Sequence, residues 1–291
     1  MSTPRHHNPG YPITLTLGQE TLTAFSISAL STYVLAPELN VAFDMGDCPL
    51  DAVPIERVFL SHAHGDHARC LLRHVSLRRL MGMAPAEYFV PEQTLEGFEA
   101  LAEAWGKLEN SRGKPGRMPA LKVLKPGEVL WLNRQLAAKS FPVTHTLPSL
   151  GYTLFDVRKK LRPEFQGRTG PELADLRRQG VEFEEESWLP RLTYIGDSTI
   201  ETLYRERHVG QSRVLLLELT FLMEDERELA RQRGHTHLDD LLAFLKECPE
   251  VLVNEHIVLK HFSMRYTRKM ILSVLSERLP KAFLERVHIL V

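Results

Sequence analysis

Cysteine is scarce in this chain. Cys48, Cys70 and Cys248 are the only three among 291 residues, and no two stand in a CxxC spacing. Neither a disulfide framework nor a cysteine-based zinc site is therefore indicated. An excess of charge of one sign is also lacking: 36 basic residues face 37 acidic ones, for a formal net charge of -1. That balance argues against a surface built to hold any polyanion, so nucleic-acid binding would need a local basic patch. No apolar run approaches the length needed to span a bilayer. Met1–Gly10, polar with two prolines, lacks the charged-then-apolar pattern of a secretory signal, and a cytoplasmic protein is expected.

What the chain does contain is enough apolar matter for a sizeable core, at 43% hydrophobic residues, and thirteen histidines, several of them clustered. Short β-branched and apolar runs at Thr14–Leu17, Ala24–Ser28, Ser31–Leu35, Asn40–Asp44 and Arg57–Leu60 predict successive strands. Ala68–Arg79 and Thr94–Leu108 have helical spacing, with a strand at Glu87–Val90 between them. Gly113, Pro115, Gly116 and Pro119 mark Glu109–Pro119 as a loop. Further strands are expected at Lys122–Leu124, Glu128–Leu130, Leu136–Val143, Gly151–Val157, Leu192–Ile195, Val214–Leu217 and Val251–Val253, and helices at Leu238–Lys246 and Arg268–Leu279. The basic stretch Arg158–Arg178 and the acidic run Glu184–Glu186 mark a charged excursion.

The strand ending near Leu60 runs into Ser61-His62-Ala63-His64-Gly65-Asp66-His67. Four ligand-type residues in six positions, on a strand-to-helix loop, supply four of the roughly seven nitrogen and oxygen ligands that a pair of divalent ions shares. Period-two alternation sends His62 and His64 to one side, and Asp66 and His67 follow from the turn. Gly65 is expected to supply the sharp bend. The competing reading is a solvated His-rich loop, although strand ends otherwise favour Ser, Asn and Asp. His256 and His288 lie inside apparent strands and read as satisfied core histidines; His6 and His7 fall in a polar tail.

The His-x-His-x-Asp-His pattern resembles the signature of the metallo-β-lactamase superfamily. That resemblance implies an αββα sandwich of two mixed sheets flanked by helices, here a single domain over 1–291, and it points to His145, Asp197 and His261 as the remaining ligands, each following an apolar strand. Alone, each would read as a cap or a satisfied polar residue. The implied partition puts His62, His64 and His145 on one ion and Asp66, His67 and His261 on the other, with Asp197 bridging. Zinc suits the nitrogen-rich set, with manganese or iron as alternatives.

Several further motifs resemble the ribonuclease Z branch, whose members trim the 3′ end of precursor transfer RNA. They are Phe43-Asp44-Met45-Gly46-Asp47, His145 with Gly151-Tyr152, Tyr194-Ile195-Gly196-Asp197-Ser198 and His261-Phe262-Ser263-Met264-Arg265-Tyr266. Glu218-Leu219-Thr220-Phe221 followed by Gly234-His235-Thr236-His237 resembles the elements that set a histidine, oriented by a glutamate, beside the scissile phosphate. The resemblance therefore implies a metal-dependent phosphodiesterase or endoribonuclease with Asp66 accepting a proton from the attacking water and His235, held by Glu218, protonating the leaving oxygen. His237 is the competing donor, and for His235 the competing reading is a surface residue at a helix start capped by Thr236.

Asp47-Cys48-Pro49 departs from the branch's usual loop. The interval Gly151–Ile195 is short for the long substrate arm, leaving residues 158–190, with Arg158, Lys159, Lys160 and Arg162, as a reduced arm or a solvated loop. The partners expected are a phosphodiester or precursor transfer RNA, with no membrane, and a homodimer is implied by the branch. A thioester, lactone or lactam hydrolase on the same metal core is the alternative, and a non-catalytic metal- or RNA-binding member is a third reading.

Overall fold

A computed structural model describes residues 10–109 and 119–291. His6, His7 and most of the proposed loop at Glu109–Pro119, including Gly113, Pro115 and Gly116, lie outside the described residues. Strands β1 (Ile13–Leu17), β2 (Glu20–Ser28), β3 (Ser31–Ala36), β4 (Val41–Phe43), β5 (Arg57–Phe59), β6 (Glu87–Pro91) and β7 (Ala120–Leu124) form one mixed sheet in that spatial order. The second sheet contains β8 (Val129–Trp131), β9 (Leu136–Val143), β10 (Ser149–Leu161), β11 (Glu184–Tyr194), β12 (Val214–Glu218), β13 (His256–Lys260) and, beyond it, β15 (Val287–Ile289), whereas the two-residue β14 (Phe262–Ser263) pairs with β2 in the first. Both sheets are antiparallel at one side and parallel at the other.

The two sheets face each other across a core that includes Phe43, Phe59, Tyr152 and Tyr194, all buried. Phe43 of β4 stacks on Tyr194 of β11 with ring centroids 4.8 Å apart, so the strands that lead to Asp44 and to Asp197 are held together across the core. Each such side chain contributes about 1.5–3 kcal/mol through burial. A second apolar cluster packs α7 (Leu238–Glu247) and α8 (Arg268–Arg278) on the outer side of the second sheet. A third, with Leu71 and Phe98, seats α2 (Leu71–Leu80) and α3 (Leu95–Glu109) on the first. Helices outside two facing sheets are the expected αββα sandwich. Among the described residues no helix is long and apolar enough to cross a membrane.

The structure corrects four sequence expectations here. The helix over Ala68–Arg79 is two helices, α1 (Gly65–Ala68) and α2, because Met45 inserts between them: its amide takes the His67 carbonyl (2.6 Å) and its carbonyl takes the Cys70 amide (2.9 Å). Val251–Val253 is not a strand. The Val253 amide donates to the Gly210 and Val251 carbonyls and the Val251 amide to the Cys248 carbonyl, and burial of Val251 and Leu252 rather than sheet pairing accounts for the apolar run. Gly65 needs no special backbone, since it lies outside the left-handed region and nothing stands within 4 Å of where a Cβ would be. Beside the ligand loop the glycine that is needed is Gly46, where a Cβ would sit 1.8 Å from the Asp66 carbonyl oxygen.

The fourth correction concerns the charged excursion. Of the two readings for residues 158–190, the solvated loop is the one the structure contradicts. β10 and β11 pair from Tyr152↔Tyr194 out to Leu161↔Glu184 as a two-stranded ribbon, and α4 (Gly170–Arg178) sits at its tip with a Thr169/Glu172 capping box.

Candidate metal centre

The candidate ligands stand just beyond the C-terminal ends of strands, Asp66 and His67 within α1 and the others on loops. His62, His64, Asp66 and His67 follow β5, His145 follows β9, Asp197 follows β11 and His261 follows β13. Parallel pairing of β11, β12 and β13 brings the last two loops to the same edge. The structure draws all seven side chains together. His64 Nδ1 lies 2.9 Å from His62 Nε2 and 3.3 Å from His145 Nε2. In a second group His67 Nε2 lies 3.2 Å from His261 Nε2, and Asp66 Oδ2 is 3.4 Å from His261 Nε2. Asp197 spans the two groups: Oδ2 is 3.7 Å from His62 Nε2, while Oδ1 is 3.2 Å from His67 Nε2 and 3.3 Å from His261 Nε2.

The other nitrogen of three of these imidazoles is held by an acceptor. His62 Nδ1 lies 2.9 Å from Ser61 Oγ, whose own proton goes to Asp44 Oδ2. His67 Nδ1 lies 2.7 Å from Asp44 Oδ2, and His145 Nδ1 lies 2.8 Å from the Gly234 carbonyl. With Nδ1–H committed outward, the neutral ring presents its Nε2 lone pair inward. Bare lone pairs about 3 Å apart repel, and Asp197 Oδ1 is buried without a hydrogen bond of acceptable geometry. Such a donor set, rich in nitrogen with two carboxylates, fits divalent metal ions. Three overlapping clusters of His and Asp among the described residues could each hold one: His62/His64/His145/Asp197, Asp66/His67/His261 and Asp197/His235/His261.

Electrostatics agree with that reading. Burial, reinforced for His62 by the His67 charge and for His64 by His145, keeps His62 and His64 below the ordinary imidazole range, and burial does the same for His145 and His261. His67 goes the other way: burial opposes its charge, yet the flanking Asp197 and Asp44 push it up to about 10. Asp66 is brought down to about 2, against the burial penalty, by its hydrogen bond to His261 and by the His67 and His261 charges. The pocket thus draws positive charge to its centre.

Its backbone is strained where it is tightest. Asp44 (φ 58°), His261 (φ 64°) and Ala29 (φ 61°) are left-handed without being glycine. The sequence reading gave Asp44 no role of its own and missed Ala29, whose amide donates to Asp66 Oδ2 at 2.9 Å. Asp44 was detectable as the acidic residue of the Phe43–Asp47 motif; no side-chain signal marks a backbone donor. Lys260, beside His261, was also missed: its Nζ is buried without a hydrogen-bond partner, 4.7 Å above the Tyr194 ring.

His235 lies at the rim, its ring centroid 5.5 Å from that of His145 and 5.4 Å from that of His261. Its Nδ1 is 3.0 Å from Glu218 Oε1. Burial lowers the affinity of His235 for a proton, but the Glu218 charge and hydrogen bond outweigh it and the net shift is upward. His237 is turned away: Nδ1 accepts the Asp239 amide as the cap of α7 and Nε2 lies 2.7 Å from the Met223 carbonyl. The cap is therefore His237 rather than Thr236, whose amide and hydroxyl are taken by Glu218 Oε1 and the Ser198 carbonyl. A cleft of about 390 Å³, lined by Glu92, Gln93, Pro126, Thr146 and Pro148, opens beside His145.

The β-lactamase superfamily domain model matches residues 38–262. The chain is 33% identical to tRNase Z TRZ1 of Arabidopsis thaliana over 89% of its own length and 88% of that protein's. It is 35% identical to a nuclear ribonuclease Z of Triticum aestivum over 62% of its length and 94% of the relative's. The crystal structure of human tRNase Z, short form, superposes with a TM-score of 0.58 at 18% identity, covering 92% of this chain and 95% of that one.

Proposed function

Because the chain belongs to the metallo-β-lactamase superfamily, and within it to the ribonuclease Z family, we propose that it is a metal-dependent endoribonuclease that cleaves a phosphodiester at the 3′ side of precursor transfer RNA. The observation that carries the reading is the placement of His235, held by Glu218, at the edge of a convergent seven-residue ligand set. A lactamase or thioesterase needs the ligand set but has no evident use for a carboxylate-held imidazole beside it.

In this reading His62, His64 and His145 would hold one zinc ion and Asp66, His67 and His261 a second, with Asp197 as the ligand shared between the two groups. Two such ions supply Lewis acidity toward the phosphoryl oxygens and a water that is nucleophilic at neutral pH. Asp66 would be the acceptor for the attacking water's proton, a role supported by its being the more exposed of the two carboxylates, at 13% against 2% for Asp197. The Ala29 amide fixes its Oδ2. His235 carries the proton for the leaving oxygen: Nδ1–H donates to Glu218 Oε1, so its Nε2 is the atom left for the leaving group. The ribbon of residues 158–190 serves as the substrate arm, and the enzyme acts as a homodimer.

An activity panel on the zinc- or manganese-loaded chain tests the proposal. Hydrolysis of both a small phosphodiester and a precursor transfer RNA is expected, with a thioester and a lactam left intact. Absence of phosphodiester cleavage with either metal, together with turnover of the thioester or lactam, would overturn it.

A further inference from the structure

Thr220 stands two residues beyond β12, buried at the floor of the centre. Its Oγ1 lies 2.8 Å from Glu218 Oε2, 3.1 Å from His261 Nδ1 and 3.4 Å from His235 Nδ1. A hydroxyl has one proton to give, so its direction must be settled by its neighbours. Glu218 settles it. Its Oε1 receives the Ser198 amide (3.0 Å), the Thr236 amide (3.1 Å) and His235 Nδ1 (3.0 Å), and its Oε2 receives the Thr220 amide (2.9 Å). A carboxyl group ringed by that many donors has no place for a proton of its own. It is acceptor only, and takes the Thr220 hydroxyl proton as well.

The lone pairs that remain on Oγ1 face His261 Nδ1, which has to be the donor. His261 is thereby held as the Nδ1–H tautomer, and its Nε2 presents a lone pair toward His67 Nε2 and Asp197 Oδ1, 3.2 and 3.3 Å away. Such a brace matters at His261 because its backbone is left-handed, so the side chain is presented from a strained position. We infer that Thr220 is the positioning residue of His261, and that through its hydroxyl the single carboxylate Glu218 anchors both a metal ligand and the leaving-group acid. The inference rests on the proposed function for the roles of His261 and His235; the hydrogen-bond directions stand on geometry.

Replacing Thr220 by Val removes the hydroxyl at nearly constant volume and keeps the backbone contacts, including the Thr220 carbonyl that receives the Ser263 amide at 3.0 Å. Chelator competition on the full chain is expected to show one zinc equivalent weakened by about ten- to a hundredfold, the usual consequence of losing a ligand's hydrogen-bond partner, and the other unchanged. Thr220→Ser is expected to restore wild-type affinity. Equal affinity of wild type and Thr220→Val for both equivalents would overturn the inference while leaving the proposed function standing. If the wild type itself took up no zinc, the proposed function would fall and the inference with it. Should Thr220→Val fold poorly, long-range proton–nitrogen spectra of the zinc-loaded wild type decide: a protonated Nδ1 on His261 is expected, and zinc on Nδ1 with a protonated Nε2 would overturn the assignment.

Discussion

At the scale of single residues, the contrast between His235 and His237 shows what two positions in sequence can conceal. Both sit in one short motif, yet one ring faces the ligand set and the other caps a helix. His235→Ala is expected to retain metal and to slow cleavage of a diester with a poor leaving group by about a hundredfold or more, the common contribution of a general acid. An activated aryl diester, whose leaving group scarcely needs a proton, should lose much less. Equal losses on both substrates, accompanied by loss of metal, would make His235 a structural residue. The four ligands from His62 to His67 were legible because they are neighbours in the chain. Ala29 and Thr220 were not, because their hydrogen bonds to Asp66 and His261 exist only once distant loops have closed together, and Asp44, though visible as a motif residue, could not be read as the acceptor for His67 for the same reason.

Among the elements, the ribbon formed by β10 and β11 changes the expectation for RNA binding. Its basic residues were visible in the sequence; their partners across the ribbon were not, since the ribbon joins positions about 20 to 27 apart. Lys159 stands opposite Glu186 and Lys160 opposite Glu185, while Arg162 reaches Glu182 at 3.4 Å. Cross-strand carboxylates offset part of the positive charge offered to a phosphate backbone. Changing Arg158, Lys159, Lys160 and Arg162 together to Gln should therefore weaken RNA binding and flatten its salt dependence by fewer than the four phosphate contacts a bare count of charges implies. Turnover of a small phosphodiester should stay the same. Titrations against salt concentration measure both quantities, and transfer-RNA affinity indifferent to the four changes would place the substrate elsewhere. Strand positions themselves were largely readable from apolar runs, whereas the break between α1 and α2 was not, because it is imposed by the backbone of Met45.

For the whole molecule, acid sensitivity has a source well away from the metal centre. His74 on α2 is buried, with Nδ1 2.7 Å from the Tyr88 hydroxyl and Nε2 3.0 Å from the Ala52 carbonyl, and burial lowers it to about 4. Between pH 6.5 and 4 the unfolded chain binds a proton at this site and the folded one does not. Stability is therefore fully present above about pH 6.5 and falls as the pH drops toward 4, by up to about 3 kcal/mol from this residue. Urea unfolding of wild type and His74→Gln across that range should show a shallower pH slope in the variant, and parallel slopes would refute the assignment. The sandwich as a whole followed from family motifs, since alternating apolar runs alone specify mixed strands and helices without their layering.

The left-handed residues at 29, 44 and 261 have a consequence for how the chain can change over generations. Glycine would relieve roughly 1–2 kcal/mol of strain at each, yet at 44 it would remove the carboxylate that holds His67 and at 261 the imidazole itself. Selection for stability and selection for activity pull in opposite directions at those two positions. At Ala29, where only the amide is used, they agree. A lineage released from its catalytic duty would drift toward glycine at 44 and 261, so those codons would register the loss of activity before the core did.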